Sequence, residues 1–325
     1  MLLLLGIIVT FVFKMENKKK ILILCGGKFA FKTLQLLAFE KFLYGIAIGN
    51  GNKTVTEALE NEASNSGLAF KSFPTKKSIS AMREWIDEIQ PDYIFSISFP
   101  FLLPESVLSY GHDKFINFHP GPLPRYRGPM PIFEVLRNQE DQTAICAHFM
   151  NSNFDEGNII FNDPIVIKQN ETYGSLTVKI SNRMSQVVLN VANMLEYGSK
   201  IPNFVQDEND SCYYEKPELS DTFINWKNMN ASEIIALINA CNPWNTGADA
   251  TLLGEQIKII SAVLIDEHHD DLQVGTIISL SDEGFVKIAC SDNEIIGIDI
   301  LSTDEGIMTS KEYSKLKKIN QYVLN

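Results

Sequence analysis

The densest run of residues able to do chemistry is Asn117-Phe118-His119, followed at once by Pro120-Gly121-Pro122-Leu123-Pro124-Arg125-Tyr126-Arg127-Gly128. Side chains alternate along an extended strand, so residues two apart share a face, and the Asn117 amide and His119 imidazole converge on one small volume. An amide donor can hold negative charge developing on an oxygen, and an imidazole can manage a proton near neutral pH. Together they suit an acyl-type transfer. The same pair also fits a plain structural reading, with Asn117 capping the loop and His119 packed in the core. The Pro- and Gly-rich run makes a rigid, irregular loop directly after a strand, where binding and catalytic groups concentrate.

Other candidates weigh less. His148 and Met150 alternate along an apolar strand and read as packed side chains. His268 and His269 lie among Asp266, Glu267, Asp270 and Asp271, and six polar residues between strands read as a solvated turn rather than a metal site. Cys25, Cys146, Cys212, Cys241 and Cys290 form no Cys-x-x-Cys pair, so neither a disulfide framework nor a zinc ribbon is expected and no metal is called for. A reducing, cytoplasmic setting follows. The chain is 325 residues long with 45% hydrophobic residues, ordinary for a folded protein. Its 28 Lys and Arg face 40 Asp and Glu, a net charge of −12 that disfavours nucleic acid as a partner unless the positives cluster.

These residues need a scaffold, and the chain supplies a rhythm of short apolar runs and helical patterns. Strands are expected at Ile21–Leu24, Tyr44–Ile48, Ala69–Phe73 and Tyr93–Ser98, with helices at Phe29–Leu37, Val55–Asn65 and Ile79–Ile89 between them. Alternation of this kind implies an α/β fold built on a doubly wound, Rossmann-like parallel sheet, with ligands beyond the carboxyl ends of the strands. Gly26-Gly27 lacks the third glycine of a dinucleotide fingerprint and reads as a structural turn. A catalytic domain is expected over 15–205, a polar linker over 206–211, and a second, smaller β-barrel (OB-like) domain over 212–325. That second domain has one helix at Ala231–Ala240 and strands at Ile257–Ile265, Val274–Ser279, Phe285–Ala289 and Ile295–Leu301. Residues 1–14 are apolar but too short to span a bilayer, which takes about 20 residues. They read as upstream of a true start at Met15, with a short membrane-dipping anchor as the alternative, and no stable membrane association is expected.

The block Asn117-x-His119-Pro120…Leu123-Pro124-x-Tyr126-x-Gly128, with Phe154-Asp155-Glu156-Gly157-Asn158-Ile159-Ile160 farther on, resembles the formyltransferase family that uses 10-formyltetrahydrofolate. The resemblance implies a formyltransferase fold and a catalytic trio of Asn117, His119 and Asp155. It implies 10-formyltetrahydrofolate as formyl donor, with folate contacts at Phe99, Phe101, Leu102, Leu103 and Pro104, and at Gly128. For Phe99–Pro104 the competing reading is a strand end with core aromatics. Arg125 and Arg127 could pair with an acceptor phosphate or the folate glutamate tail, or be solvated loop charges.

The resemblance continues through Tyr214-x-Lys216, Ile224-x-Trp226 and Ala240-x-x-Pro243, similar to landmarks of the tRNA-formylating branch. Asn239 stands where that branch has Arg, and Asn245-Thr246-Gly247 replaces a Pro-Gly. Charge departs further. From residue 206 onward 8 Lys and Arg face 21 Asp and Glu, a net of −13, against 20 and 19 before it. Gly49–Gly67 also carries three acids and one lysine where tRNA-formylating relatives have a basic loop. The expected reaction is therefore N-formylation of a small amine acceptor, an amino sugar on a nucleotide by family analogy. Methionyl-tRNA formylation is the alternative, with tRNA disfavoured by the acidic second domain.

Overall fold

The computed structural model describes residues 18–319 apart from 27, 50–52 and 271. The apolar segment 1–14, the expected start at Met15, and Gly27 of the glycine turn lie outside the described residues. Among the described residues no helix is long and apolar enough to cross a membrane. The chain divides into two compact units. Of the described residues, one holds those up to Arg127, Ala144–Ile165 and Lys179–Tyr213; the other holds Gly128–Thr143, Val166–Val178 and those from Tyr214 to Ile319.

In the first unit β1 (Ile21–Cys25) is buried at every position. Strands covered on both faces read as unbroken apolar runs, which is why Ile21–Cys25 has no polar alternation. Strands β2 (Leu43–Ile48) and β3 (Ala69–Ser72) pair in parallel on one side of β1, and β4 (Tyr93–Ile97) and β5 (Phe115–His119) on the other. With β6 (Gln142–Phe149) and β7 (Ile159–Val166) the sheet runs β3-β2-β1-β4-β5-β6-β7. The first five strands are parallel, as the βα rhythm requires, but β6 runs antiparallel to β5 and makes that edge mixed.

Helices α1 (Phe31–Phe39), α2 (Lys53–Asn65), α3 (Met82–Ile89) and the short α4 (Glu105–Leu108) fall between these strands. The expected helix at Ile79–Ile89 begins instead as a 3-10 turn over Lys76–Ala81, capped by the Thr75 hydroxyl, and only then becomes α3. Strand order reverses between β1 and β4, so the loops after those strands border the position where such sheets bind ligands.

The second unit holds α5 (Pro131–Arg137), α7 (Ala231–Cys241) and α8 (Ser310–Leu316). Between α5 and α7 in the chain, α6 (Tyr173–Glu196) begins. Helix α7 starts with a reciprocal cap: Asn230 Oδ1 accepts from the Glu233 N–H at 2.9 Å and the Glu233 carboxylate accepts from the Asn230 N–H at 2.8 Å. Its buried residues Ile234, Leu237, Ile238 and Cys241 recur at helical spacing. The sheet runs β10 (Ile277–Leu280), β11 (Val286–Ala289), β12 (Glu294–Thr303), β9 (Glu255–His268), β8 (Ala248–Leu252), with β13 (Gly306–Thr309) on β12, and every pairing is antiparallel. Three register shifts interrupt the β12–β9 ladder, and such bulges bend and twist a strand pair.

Two expectations are corrected here. The strand placed at Val274–Ser279 starts at Ile277, because Val274 and Gly275 form a turn. His269 is not in a solvated turn: it is 7% exposed, and its Nε2–H donates to the Cys290 carbonyl at 2.9 Å. Among the described residues no group of three or more His, Cys, Asp or Glu could hold a metal ion.

Candidate active site

Strand β5 carries Asn117 half-buried and His119 buried, with Phe118 between them turned into the core beside Phe95 at a ring separation of 5.1 Å. The period of two thus does what the sequence suggested. The antiparallel register with β6 places His148 directly opposite Asn117. Beyond β6 the chain turns and returns as β7, with Asp155 in the turn at φ +59°. Asp adopts this left-handed conformation more readily than most residues, and its carboxylate is thereby aimed back at the strands.

Four polar side chains meet there. The Asn117 amide donates to Asp155 Oδ1 at 3.2 Å and to His148 Nε2 at 3.1 Å. Asp155 Oδ1 lies 3.5 Å from both His119 Nδ1 and His148 Nε2. His119 Nε2 is 2.6 Å from the Tyr126 carbonyl and His148 Nδ1 is 2.8 Å from the Phe149 carbonyl.

Hydrogen-bond roles follow from chemistry. The Tyr126 carbonyl can only accept, so His119 Nε2 carries a proton, and the carboxylate beside Nδ1 favours a second one. For His148 the Phe149 carbonyl takes the Nδ1–H, leaving Nε2 as the acceptor for the Asn117 amide. Burial opposes charge on His119. The Asp155 charge, the contact with that carboxylate and the Tyr126 carbonyl outweigh it and raise the imidazole above its ordinary value. Burial likewise opposes charge on Asp155, but the His119 charge and the hydrogen bond from its ring hold the carboxyl well below the usual carboxylate range.

This coupling has a pH signature. The raised His119 contributes stability that is complete below the ordinary imidazole value of 6.5 and is lost as pH rises through its folded value. The depressed Asp155 contributes stability that is present above the ordinary carboxyl value of 3.8 and is lost as pH falls through its own folded value. The pair's contribution is therefore greatest between 3.8 and 6.5. Melting temperature measured against pH should show a decline above that window, and Asp155→Asn should flatten it.

The residues expected to contact folate, Phe99 to Pro104, separate into two groups. Phe99 and Leu103 belong to the core cluster, at 9% and 1% exposure, so their side chains hold the loop down. Phe101 and Leu102 are half-buried, Pro104 is exposed, and Phe101 lies edge-on to Phe99. Among the described residues no protein hydrogen bond reaches the main-chain N–H or C=O of Phe101, Leu102 or Leu103. Gly128 falls in the second unit at φ +118°, where a Cβ would lie 2.0 Å from the Tyr214 carbonyl oxygen, a close approach that itself demands glycine.

Arg127 is corrected on both of its readings. It is 4% exposed and is neither solvated nor free for a substrate: it forks onto Glu208 at 2.7 and 3.0 Å and onto Gln206 Oε1 at 3.0 and 3.2 Å. Arg125 is exposed, with its guanidinium over the Tyr126 ring. Sequence reasoning missed His148, taken as a packing residue; it shares strand parity with functional positions, but only the β5–β6 register puts it against Asn117. Gln206, placed in a polar linker, is 5% exposed.

An amide, two imidazoles and a carboxylate thus gather at the carboxyl end of β5 in an α/β fold. Residues 34–192 match the formyl transferase family and residues 218–317 the formyl transferase C-terminal domain. The chain belongs to the formyl transferase family. It is 28% identical to the methionyl-tRNA formyltransferase of Syntrophomonas wolfei, over 76% of this chain and 80% of that one. It is 30% identical to the methionyl-tRNA formyltransferase of Clostridioides difficile, over 72% and 75%. Among solved structures it is similar to the sugar 3N-formyl transferase WlaRD, crystallised in the presence of dTDP and 5-N-formyl-THF. That match has a TM-score of 0.67 and 20% identity, over 87% of this chain and 97% of that one.

Proposed function

We propose that this enzyme moves a formyl group from 10-formyltetrahydrofolate to the amine of a small acceptor, with a nucleotide-linked amino sugar as the acceptor class. The observation that carries formyl transfer is the buried cluster of Asn117, His119, His148 and Asp155, in which an imidazole facing a carboxylate and an amide donor stand together. The donor's place is supported by Phe101 and Leu102. They offer half-buried apolar surface, and the unpaired main-chain groups of Phe101–Leu103 can meet the hydrogen-bonding edge of a flat ring. They follow β4, whose Ser96 is the strand neighbour of Asn117.

The donor supplies an activated formyl carbon. As the acceptor amine's lone pair forms the new C–N bond, the carbonyl electrons move onto oxygen; the old bond to the folate nitrogen then breaks, and that nitrogen takes the proton the amine gives up. The protein's part is electrostatic. Both N–H groups of Asn117 are occupied in the resting site. The bond to the His148 Nε2 lone pair is weaker than the charge-assisted bond to the Asp155 carboxylate, and it is the one released to the developing oxyanion. His119 supplies a buried positive charge nearby, and Asp155 keeps that charge in place.

The small acceptor is supported by the charge of the second half of the chain. Of its eight basic side chains, Lys258, Lys287 and Lys317 each sit 2.7 Å from a carboxylate, of Asp249, Glu267 and Glu255 respectively. The other five face a part of the chain that carries 21 Asp and Glu, an excess that opposes a phosphate backbone. Methionyl-tRNA formylation is the second reading, supported by the curated relatives and by the matched C-terminal domain. Formyl transfer measured in parallel with charged initiator tRNA and a panel of nucleotide-linked amino sugars separates the two. Transfer confined to a sugar is the expected result. Transfer to the tRNA overturns the small-acceptor reading, and transfer to neither overturns both.

A further inference from the structure

We propose that Gln206 is a positioning residue for Asp155, a role that rests on the catalytic reading of the Asn117, His119 and Asp155 cluster. Its side-chain amide spends both N–H groups on the turn that carries Asp155, donating to the Asp155 carbonyl at 2.8 Å and to the Gly157 carbonyl at 2.7 Å. Its Oε1 accepts twice from Arg127, at 3.2 Å from Nε and 3.0 Å from Nη2. Reversing the amide would set an oxygen against two carbonyl oxygens and an NH2 against a guanidinium, so only one orientation is available.

Arg127 is held in turn by the fork to Glu208, with Glu156 4.0 Å from Nη1. The residue before Arg127 is Tyr126, whose carbonyl accepts from His119 Nε2. One buried side chain thus ties the segment that anchors one end of the His119 ring to the turn whose carboxylate faces the other end. Such a tie fixes the separation of the two groups, which a left-handed, non-glycine turn would not hold by its own preference. Gln206 touches neither His119 nor the Asp155 carboxylate, so it acts through position alone.

The groups facing His119 are Asp155, with His148 behind it, and the Tyr126 carbonyl. Arg127, Glu156 and Glu208 lie beyond Gln206. Gln206→Met keeps the length and neutrality of the side chain and removes all four hydrogen bonds. It should lower kcat by about tenfold to a hundredfold with KM for the formyl donor within about twofold, the pattern of a misplaced catalytic group rather than a lost binding contact. Proton NMR titration of the His119 ring should find its midpoint lower than in the parent, because Asp155 no longer stands at fixed range. That titration needs no substrate, so it answers for Gln206 even if the acceptor and donor assignments fail. Glu208→Gln, an exposed change that weakens the fork to Arg127 and the 3.2 Å bond from the Ser211 hydroxyl, should move both readouts in the same direction by less, and it serves if Gln206→Met does not fold. An unchanged kcat and an unmoved His119 midpoint overturn the proposal, as does a fall in kcat with the midpoint unmoved.

Discussion

Asn117→Ala is expected to lower kcat by about 10²- to 10⁴-fold while leaving the protein folded, the range found when an oxyanion donor or a positioned acid-base group is removed. Asn117 is half-buried at the end of β5, and its amide bonds only to Asp155 and His148 among the contacts described, so truncation leaves the strand ladder untouched. His119→Ala should be at least as severe in turnover and also destabilising. It leaves the Asp155 carboxylate, 9% exposed, without the cation that holds it ionised. The Asp155 pKa should then rise, because burial opposes its charge and the imidazolium that offset it is gone. Single-turnover kinetics with saturating donor reads the chemical step, and a melting curve reads the fold. Turnover of Asn117→Ala within about threefold of the parent would refute the assignment of the site.

Gly157→Ala should be strongly damaging, since among the described glycines its added Cβ would make the shortest contact. A Cβ at this position would lie 1.7 Å from the Phe149 carbonyl oxygen and 2.7 Å from its carbon, both main-chain atoms with no rotamer by which to retreat. Relief requires pulling the turn away from β6, which breaks the 3.0 Å bond from the Phe149 N–H to the Asn158 carbonyl and the bond from Gln206 to the Gly157 carbonyl. Overpacking and broken buried hydrogen bonds together place the loss at roughly 3 kcal/mol or more. The melting temperature should fall by several degrees, since about 1 kcal/mol shifts a domain of this size by about 2–4 °C. Activity should fall with it, because Asp155 is two residues away and rides on the same turn. A variant that melts with the parent and turns over normally would show that the turn has room the structure denies.

Much of the first unit can be read without coordinates. Ile21–Cys25, Leu43–Ile48 and Tyr93–Ile97 are dense apolar runs because a central parallel strand is covered on both faces, and their neighbours carry helical spacing. Helix α6 is not among the expected elements, although Ile180, Met184, Val187, Val191 and Leu195 repeat at three and four residues and are all buried. The convergence of Asn117 and His119 is local as well, because two positions on one strand face are set by the pleat.

What a linear pattern cannot reach is register and burial decided by distant partners. His148 looks like any polar residue on an apolar strand until β6 pairs antiparallel with β5 and sets it against Asn117. Arg127 and Gln206 look like surface charge and linker, yet they are separated by 79 residues and neutralise each other's burial. Phe99 and Leu103 are buried in the core while Phe101 only packs partly against it and Leu102 stays half-buried, a choice made by packing around α3 and α4 rather than by residue type. Local backbone preference and side-chain periodicity are properties of a few consecutive residues and survive in the sequence alone. The distance between a carboxylate and an imidazole 36 residues apart exists only once the sheet has fixed which strand lies beside which.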